Sequence, residues 1–195
     1  MTGSSAPSDR VLIAEDETII RLDLRSLLEA NGFEVCGEAR DGVEAIELAS
    51  ALEPDMIVMD VKMPRLDGIE AARQILAERA VPVVMLTAFG QDELIGRAVE
   101  AGVFGYLAKP FREQDVVAAL VAAKARYAEF AEVKEQAMSL REALEARKAI
   151  ERAKGILMAK EGISEEEAFS RLRRASQRSG RPMKIIADAV AATLS

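Results

Sequence analysis

The 195-residue chain predicts a doubly wound α/β domain built on a five-stranded parallel sheet, followed by a helical linker and a small three-helix domain. Three observations lead there. Five short, nearly continuous apolar runs alternate with segments of helical spacing, the pattern of a parallel sheet covered on both faces. Acids, a threonine and a lysine stand at the ends of four of those runs. From Phe111 to Lys154 there is neither glycine nor proline, so helix can continue well past the sheet domain.

The first run, VLIAED, ends in acids, and TIIRLDLRSLLEANG then sets Ile19, Leu22, Leu27 and Leu28 at helical spacing before a stop at Gly32. FEVCGEA alternates as a second strand, and DGVEAIELASAL follows as a helix. MIVMDV is the third strand, with a helix beginning near Asp67; PVVMLTA is the fourth, with a helix in QDELIGRAVEAG. GYLAKP is the fifth, and REQDVVAALVAAKARY the helix after it.

Composition removes several classes of function. Half of the residues are apolar, enough to bury a core. MTGSSAPSDR lacks the apolar segment of a secretory signal and no later run approaches a bilayer span, which predicts a cytoplasmic protein with no membrane partner. The single Cys36 cannot form an internal disulfide and reads as a small buried hydrophobe. The chain has no histidine, which excludes a His-based triad, a Cys/His zinc cluster and a phosphohistidine of its own. Its chemistry falls to Asp, Glu, Lys, Ser and Thr. Charge is unevenly divided: residues 147–184 carry 11 Lys/Arg against 5 Asp/Glu, a balance of +6, while the remainder stands at −13. A basic end on an acidic body suits contact with a polyanion, and equally suits a solvated helix surface.

Ligands of open parallel sheets bind beyond the carboxyl ends of the strands. At those ends stand Glu15 and Asp16, Asp60, Thr87 and Lys109. Three carboxylates at one edge repel unless a cation offsets them, and all-oxygen ligands suit Mg²⁺. A lysine supplies positive charge for a phosphoryl oxygen and a threonine hydroxyl supplies a hydrogen bond. The set predicts a site that accepts a phosphoryl group on a carboxylate.

AED (Ala14 to Asp16), MDVKMPRLDG (Met59 to Gly68), LTA (Leu86 to Ala88) and YLAKPF (Tyr106 to Phe111), in that order, resemble the receiver domain of two-component response regulators. The resemblance implies the CheY-like form of the flavodoxin-type fold over residues 10–125. It implies Asp60 as phosphoacceptor, with Asp16 as a direct Mg²⁺ ligand, Glu15 acting through water and the main-chain carbonyl of Lys62 completing the protein ligands. Thr87 and Lys109 would hold the phosphoryl oxygens, and Lys109-Pro110 would be a cis peptide. Thr87 and Tyr106 would form the switch, changing the surface from Phe89 through the fourth helix to the fifth strand. A sensor histidine kinase, or a small acyl phosphate, would be the donor, and no external substrate is turned over.

Beyond this lies a linker, residues 126–138. Phe130, Val133, Ala137, Leu140 and Leu144 recur at alternating spacings of three and four, a heptad-like stripe that fits either docking on its own domain or a coiled coil with a second copy. A three-helix domain over 139–195 follows. Ile150, Ala153, Leu157 and Met158 form the face of its first helix, which Gly162 stops. Ser164 with Glu165, Glu166 and Glu167 caps the second, whose core face is Ala168, Phe169 and Leu172. Arg181-Pro182 opens the third, with Met183, Ile186, Ala187 and Val190 inward.

AKGILM (Ala153 to Met158), ISEEEAF (Ile163 to Phe169), LRRAS (Leu172 to Ser176) and RPMKIIADAV resemble the ANTAR domain, an RNA-binding antiterminator module. The usual methionine of that motif is replaced by Ser176. The resemblance implies RNA stem-loops as ligand and prevention of transcription termination as output. With Phe169 read as core, recognition is assigned to Arg147, Lys148, Arg152, Lys154, Arg174, Arg178, Arg181 and Lys184, to Ser176, and to close backbone approach at Gly155. A DNA-binding output is the alternative; the tail shows no winged hairpin, so DNA is not expected. A phosphorylation-switched protein-interaction module is the other. Phosphorylation would act by releasing an inhibited RNA surface or by driving a homodimer.

Overall fold

The computed structural model describes residues 8–88 and 92–194. The chain divides into two compact units, residues 1–130 and 131–195. The first holds the sheet: β1 (Arg10–Ala14), β2 (Glu34–Ala39), β3 (Met56–Asp60), β4 (Val83–Ala88) and β5 (Gly105–Lys109), all parallel, in the order β2-β1-β3-β4-β5. Helices α1 (Thr18–Ala30), α2 (Gly42–Leu52), α3 (Gly68–Glu78) and α4 (Asp92–Glu100) alternate with the strands, and α5 (Glu113–Glu161) begins after β5. The doubly wound α/β class is therefore the fold of this unit.

Two apolar clusters cover the sheet. On one side Leu12, Ile57, Met59, Val83 and Met85 meet Ala45, Ala49, Ile69 and Ala72 of α2 and α3. On the other, Val11, Ile13, Val58, Val84 and Leu86 meet Leu24 and Leu28 of α1 and Val116, Leu120 and Ala123 of α5. All five residues of β3 are buried, as a central strand covered twice requires. Cys36 is partly buried against the first cluster, and burial raises its thiol pKa.

The face of α1 follows the predicted spacing at Leu27 and Leu28, which pack against the sheet, and departs from it at Ile19 and Leu22. Ile19 and Leu22 are 83% and 54% exposed, whereas Arg21, Leu24 and Leu28 are buried. Two helical stripes one residue apart compete there, Ile19 with Leu22 and Ile20 with Leu24, Leu27 and Leu28. The second buries more apolar surface, with Leu24 and Leu28 in the core and Ile20 and Leu27 against it, and it also brings Arg21 under the β1–α1 loop, where its guanidinium bonds main-chain oxygens.

In the second unit the end of α5 precedes α6 (Glu165–Ser179) and α7 (Met183–Leu194). Ser164 caps α6, its hydroxyl accepting from the Glu167 amide at 3.2 Å, with three glutamates in the first turn. Gly180 ends α6 in the left-handed conformation, φ 66°. Ala153, Leu157, Ala168, Leu172 and Ala187 form the core, with Ile150, Met183, Ile186 and Val190 against it. Phe169 departs from the expected core face: it is 42% exposed, and Met158 is 38% exposed. Ala168 and Leu172 already fill the centre of so small a core, and the ring one position on is turned to its edge. Phe130, Val133, Leu140 and Leu144 of the heptad-like stripe are each more than half exposed. No helix among the described residues is long and apolar enough to cross a membrane.

Candidate functional site

Sheet register assembles the site. Ala14 pairs with Met59, Asp60 with Leu86, and Thr87 with Ala108. One step past Ala14 comes Glu15, beside Asp60; one step past Ala108 comes Lys109. Strand order reverses between β1 and β3, so the residues collect at the switch point of the sheet. Residues 61–67 then turn away into α3. Gly68 is required there, since a Cβ would lie 1.9 Å from the carbonyl oxygen of Asp60. Its amide instead donates to the Val61 carbonyl at 2.9 Å.

Glu15, Asp16 and Asp60 each offer an oxygen within 4.8 Å of the others. Glu15 is fully buried, Asp60 is 7% exposed and Asp16 is exposed. Lys109 Nζ donates to Glu15 Oε2 at 2.7 Å and stands 3.2 Å from Asp60 Oδ2. Burial raises the pKa of Glu15, which the Lys109 hydrogen bond opposes and the charge on Asp60 reinforces. Burial likewise raises that of Asp60 against the pull of Lys109. Burial works against the Lys109 cation, but the Glu15 hydrogen bond and the Asp60 charge outweigh it and hold the lysine above its ordinary value. Two of three carboxylates thus share one ammonium, an arrangement that a divalent cation would complete.

The donor set fits such a cation. It is all oxygen, it is open to solvent at Asp16, and among the described residues no donor is bonded to the Lys62 carbonyl two residues beyond Asp60. Hard oxygen ligands with room for water are what Mg²⁺ requires. Thr87 is buried and its hydroxyl donates to the Ala88 carbonyl at 3.2 Å. Tyr106 is 56% exposed, and Lys109-Pro110 is cis. Phe89, the start of the expected switch surface, lies outside the described residues, as does the N-terminal stretch before residue 8.

Supporting residues that carry little signal in the sequence surround these. Arg21, 6% exposed, donates to the main-chain oxygens of Glu15 at 2.7 Å and Asp16 at 3.4 Å, and pairs with Glu38 at 3.2 Å. Asp41 caps α2 and holds Arg65 of the β3–α3 loop. Of these, only the capping signal of Asp41-Gly42 is legible along the chain.

The basic residues expected to meet RNA separate into two groups. Lys154 is 7% exposed and held by Glu165 at 2.6 Å and Glu151 at 2.9 Å, so it is a buried tie between α5 and α6, not a free surface cation. Arg174 pairs with Glu167, Lys148 with Glu145 and Lys184 with Asp188. Ser176 donates to the Arg181 carbonyl at 2.6 Å, spanning the α6–α7 turn. Arg147, Arg152, Arg178 and Arg181 are exposed, with guanidinium groups that meet no carboxylate among the described residues. Gly155 is exposed, and a Cβ there would meet nothing within 4 Å.

A parallel sheet with this acid-and-lysine edge, joined to a basic helical unit, defines a class of signalling protein, and similarity to known proteins agrees. Residues 11–121 match the response regulator receiver domain and residues 138–190 the ANTAR domain. The chain belongs to the response regulators and is a two-component regulator with an ANTAR output domain. It is similar along its whole length to the transcriptional regulatory protein PdtaR of Mycobacterium tuberculosis, with 46% identity over 199 residues that cover 100% of this chain and 97% of that one. The chemotaxis protein CheY of Halobacterium salinarum is 40% identical over 112 residues, 57% of this chain and 92% of its own. Among solved structures, the signal receiver domain of a modulated diguanylate cyclase from Desulfovibrio desulfuricans matches with TM-score 0.58 at 32% identity, covering 62% of this chain and 96% of that chain. A response regulator receiver domain protein from Clostridium thermocellum matches with TM-score 0.58 at 30% identity, covering 63% and 98%.

Proposed function

We propose that this regulator takes a phosphoryl group on Asp60 from a sensor histidine kinase and in response alters the binding of RNA stem-loops by its ANTAR domain, preventing transcription termination. The observation that carries the first half is the sharing of Lys109 between Glu15 and Asp60 at the end of the central strand. An Asp60 carboxylate oxygen attacks phosphorus, the P–N bond to the donor imidazole breaks, and the electron pair returns to that nitrogen. Mg²⁺ held by Asp16, Asp60 and the Lys62 carbonyl, with Glu15 assisting, would offset the charge of the attacking and transferred oxygens. Lys109 moves from sharing two carboxylates to holding a phosphoryl oxygen. Thr87 turns its hydroxyl from the Ala88 carbonyl toward the new group, and Tyr106 takes the space so opened. Exposed Ile19 and Leu22, beside Pro110 and Phe111, make an apolar shoulder next to the site that suits a protein donor.

The RNA half rests on exposed Arg147, Arg152, Arg178 and Arg181, whose contacts with phosphates would be salt-dependent. A second copy of the chain is a further partner, supported by the exposed heptad-like stripe. The test measures binding to structured RNA hairpins and to matched DNA, with and without Mg²⁺ and beryllofluoride, at two salt concentrations. Hairpin-selective binding that strengthens with beryllofluoride, and does so no longer in Asp60→Ala, is the expected result. Equal RNA and DNA binding in every condition would remove the antiterminator assignment. Unchanged solution mass on adding beryllofluoride would remove phosphorylation-driven dimerisation.

A further inference from the structure

The β3–α3 loop carries the residues that follow Asp60, and its two halves are held differently. Near β3, Val61 and Met63 are buried in the core and the Val61 amide donates to Leu86 at 3.0 Å. The far half, Pro64 and Arg65, is exposed. It is tied to the start of α2 instead. The Gly42 amide donates to the Leu66 carbonyl at 3.2 Å, and a Cβ on Gly42 would come within 2.5 Å of that oxygen. Arg65 Nε donates to Asp41 Oδ2 at 2.7 Å, and a second guanidinium nitrogen bonds the same oxygen.

Asp41 is fully committed. Oδ1 accepts from the amides of Val43 at 2.9 Å and Glu44 at 3.0 Å, which caps α2, and Oδ2 is left for Arg65. Asp41 as a residue is 6% exposed. Burial works against its charge, but the Glu44 amide and the Arg65 guanidinium outweigh that and hold its pKa below the ordinary value. Arg65 itself has φ +64°, a conformation that costs a side-chain-bearing residue energy and favours glycine. A turn that needed only this backbone would be served better by glycine. What arginine adds is the bond to Asp41.

We infer that the Asp41–Arg65 pair is a positioning clamp for the phosphoacceptor site: it fixes the outer half of the β3–α3 loop against α2, so that the Lys62 carbonyl is already placed to complete Mg²⁺ coordination beside Asp60. This rests on the reading of Asp60 and its neighbours as an Mg²⁺-dependent phosphoacceptor site. A loop held at one end only would have to be ordered when the ion binds, and that ordering would weaken affinity.

The test uses the full chain with Arg65→Gly, which removes the guanidinium and relieves the φ, and Asp41→Asn, which keeps an oxygen for the α2 cap and removes the charge. Calorimetric titration with Mg²⁺ should show affinity weakened about tenfold in either variant, the size typical of lost outer-shell support, with Arg65→Lys recovering part of it. The double variant should be no weaker than the worse single one. Without Mg²⁺, hydrogen exchange at the Gly42 amide should be faster in Arg65→Gly while the β3 amides stay unchanged. Wild-type Mg²⁺ affinity and wild-type Gly42 exchange in both variants would overturn the clamp, as would a lower melting temperature with Mg²⁺ affinity intact. Absence of Mg²⁺ binding in the wild type would overturn the underlying site reading and the clamp with it; wild-type binding with unaffected variants overturns the clamp alone.

Discussion

Lys109 and Glu15 lie 94 residues apart in the chain, yet the lysine ammonium donates to the buried glutamate at 2.7 Å. The bond spans the site from β5 to the end of β1, with Asp60 between them also in reach of the ammonium. Its removal leaves two buried carboxylates without a cation. Lys109→Met should therefore destabilise the receiver unit by about 3 kcal/mol, the order expected when one partner of a buried pair is lost. Because Mg²⁺ can offset the same charge, saturating Mg²⁺ should return part of this. Urea unfolding of both chains, with and without Mg²⁺, measures it.

The charge on Asp60 destabilises the folded chain in the absence of Mg²⁺. Burial holds its pKa above the ordinary 3.8, so the folded state binds this proton more tightly than the unfolded state does. Stability lost when Asp60 ionises is regained as pH falls through the raised folded value. Asp60→Asn should accordingly exceed the wild type in stability at neutral pH, and the gap should close as pH falls toward 3.8. Protons and Mg²⁺ compete for the same oxygens, so Mg²⁺ affinity should weaken over the same fall. A stability gap that widens on acidification would contradict the assignment.

Arg21 is a buried guanidinium whose partners are the Glu15 and Asp16 main-chain oxygens, Glu38 and the Thr18 hydroxyl. Arg21→Met keeps volume and removes every one of those bonds. The expected cost is about 3 kcal/mol, since Glu38 and two carbonyls lose a charged donor. Arg25, which also holds Glu38, at 2.6 Å, limits the loss on that side. Thermal melts of Arg21→Met and Arg25→Met should differ, with the first melting lower.

Phe169 and Leu172 lie on the same helix with different burial, 42% and 1% exposed. Leu172→Ala should destabilise the second unit by about 3 kcal/mol, and Phe169→Ala by less than the 3 to 5 of a core phenylalanine, about 1 to 2. Equal losses, followed by helix signal during chemical unfolding, would mean that the ring is core after all.

Gly155 is exposed inside α5 with open space where a Cβ would go. Gly155→Ala should stabilise the helix by about 1 kcal/mol. If RNA approaches the backbone there, the same change should weaken hairpin binding, so stability and affinity would move in opposite directions. By contrast, Arg152→Ala and Arg178→Ala should each lower the salt dependence of binding by about 0.7 for a phosphate contact in an unpaired strand. Lys154→Ala should instead show itself first as lost stability, its charge being enclosed by Glu151 and Glu165.

Much of this was legible along the chain. Five strand-like runs broken by helical spacing determined the parallel sheet; in the central strands β1, β3 and β4 burial on both faces leaves almost no room for polar residues, whereas the edge strands β2 and β5 are only partly buried. The acids and the lysine at strand ends were legible as a cluster, because in such a sheet those ends share one edge, where Glu15, Asp16, Asp60 and Lys109 meet. Ser164 with its following glutamates and Gly180 marked the bounds of α6, because capping is a local interaction.

Choices between neighbouring registers were decided only by tertiary structure. Ile19 and Leu22 satisfied helical spacing as well as Ile20 and Leu24 did; packing of Ile20, Leu24, Leu27 and Leu28 against the sheet, with Arg21 bonded to the β1–α1 loop, selects the second stripe. Phe169 sat at a core spacing, but the small core between the end of α5, α6 and α7 has too little interior for it beside Leu172. Lys154 carried the same charge as the exposed arginines, and two glutamates, one on another helix, enclosed it. The meeting of Asp41 with Arg65, and of Lys109 with Glu15, is of the same kind. Sequence by itself determines periodicity, caps and strand ends, since these act within a turn or two of chain; which stripe is buried and which charges meet depends on packing between segments far apart, and only the folded structure decides it.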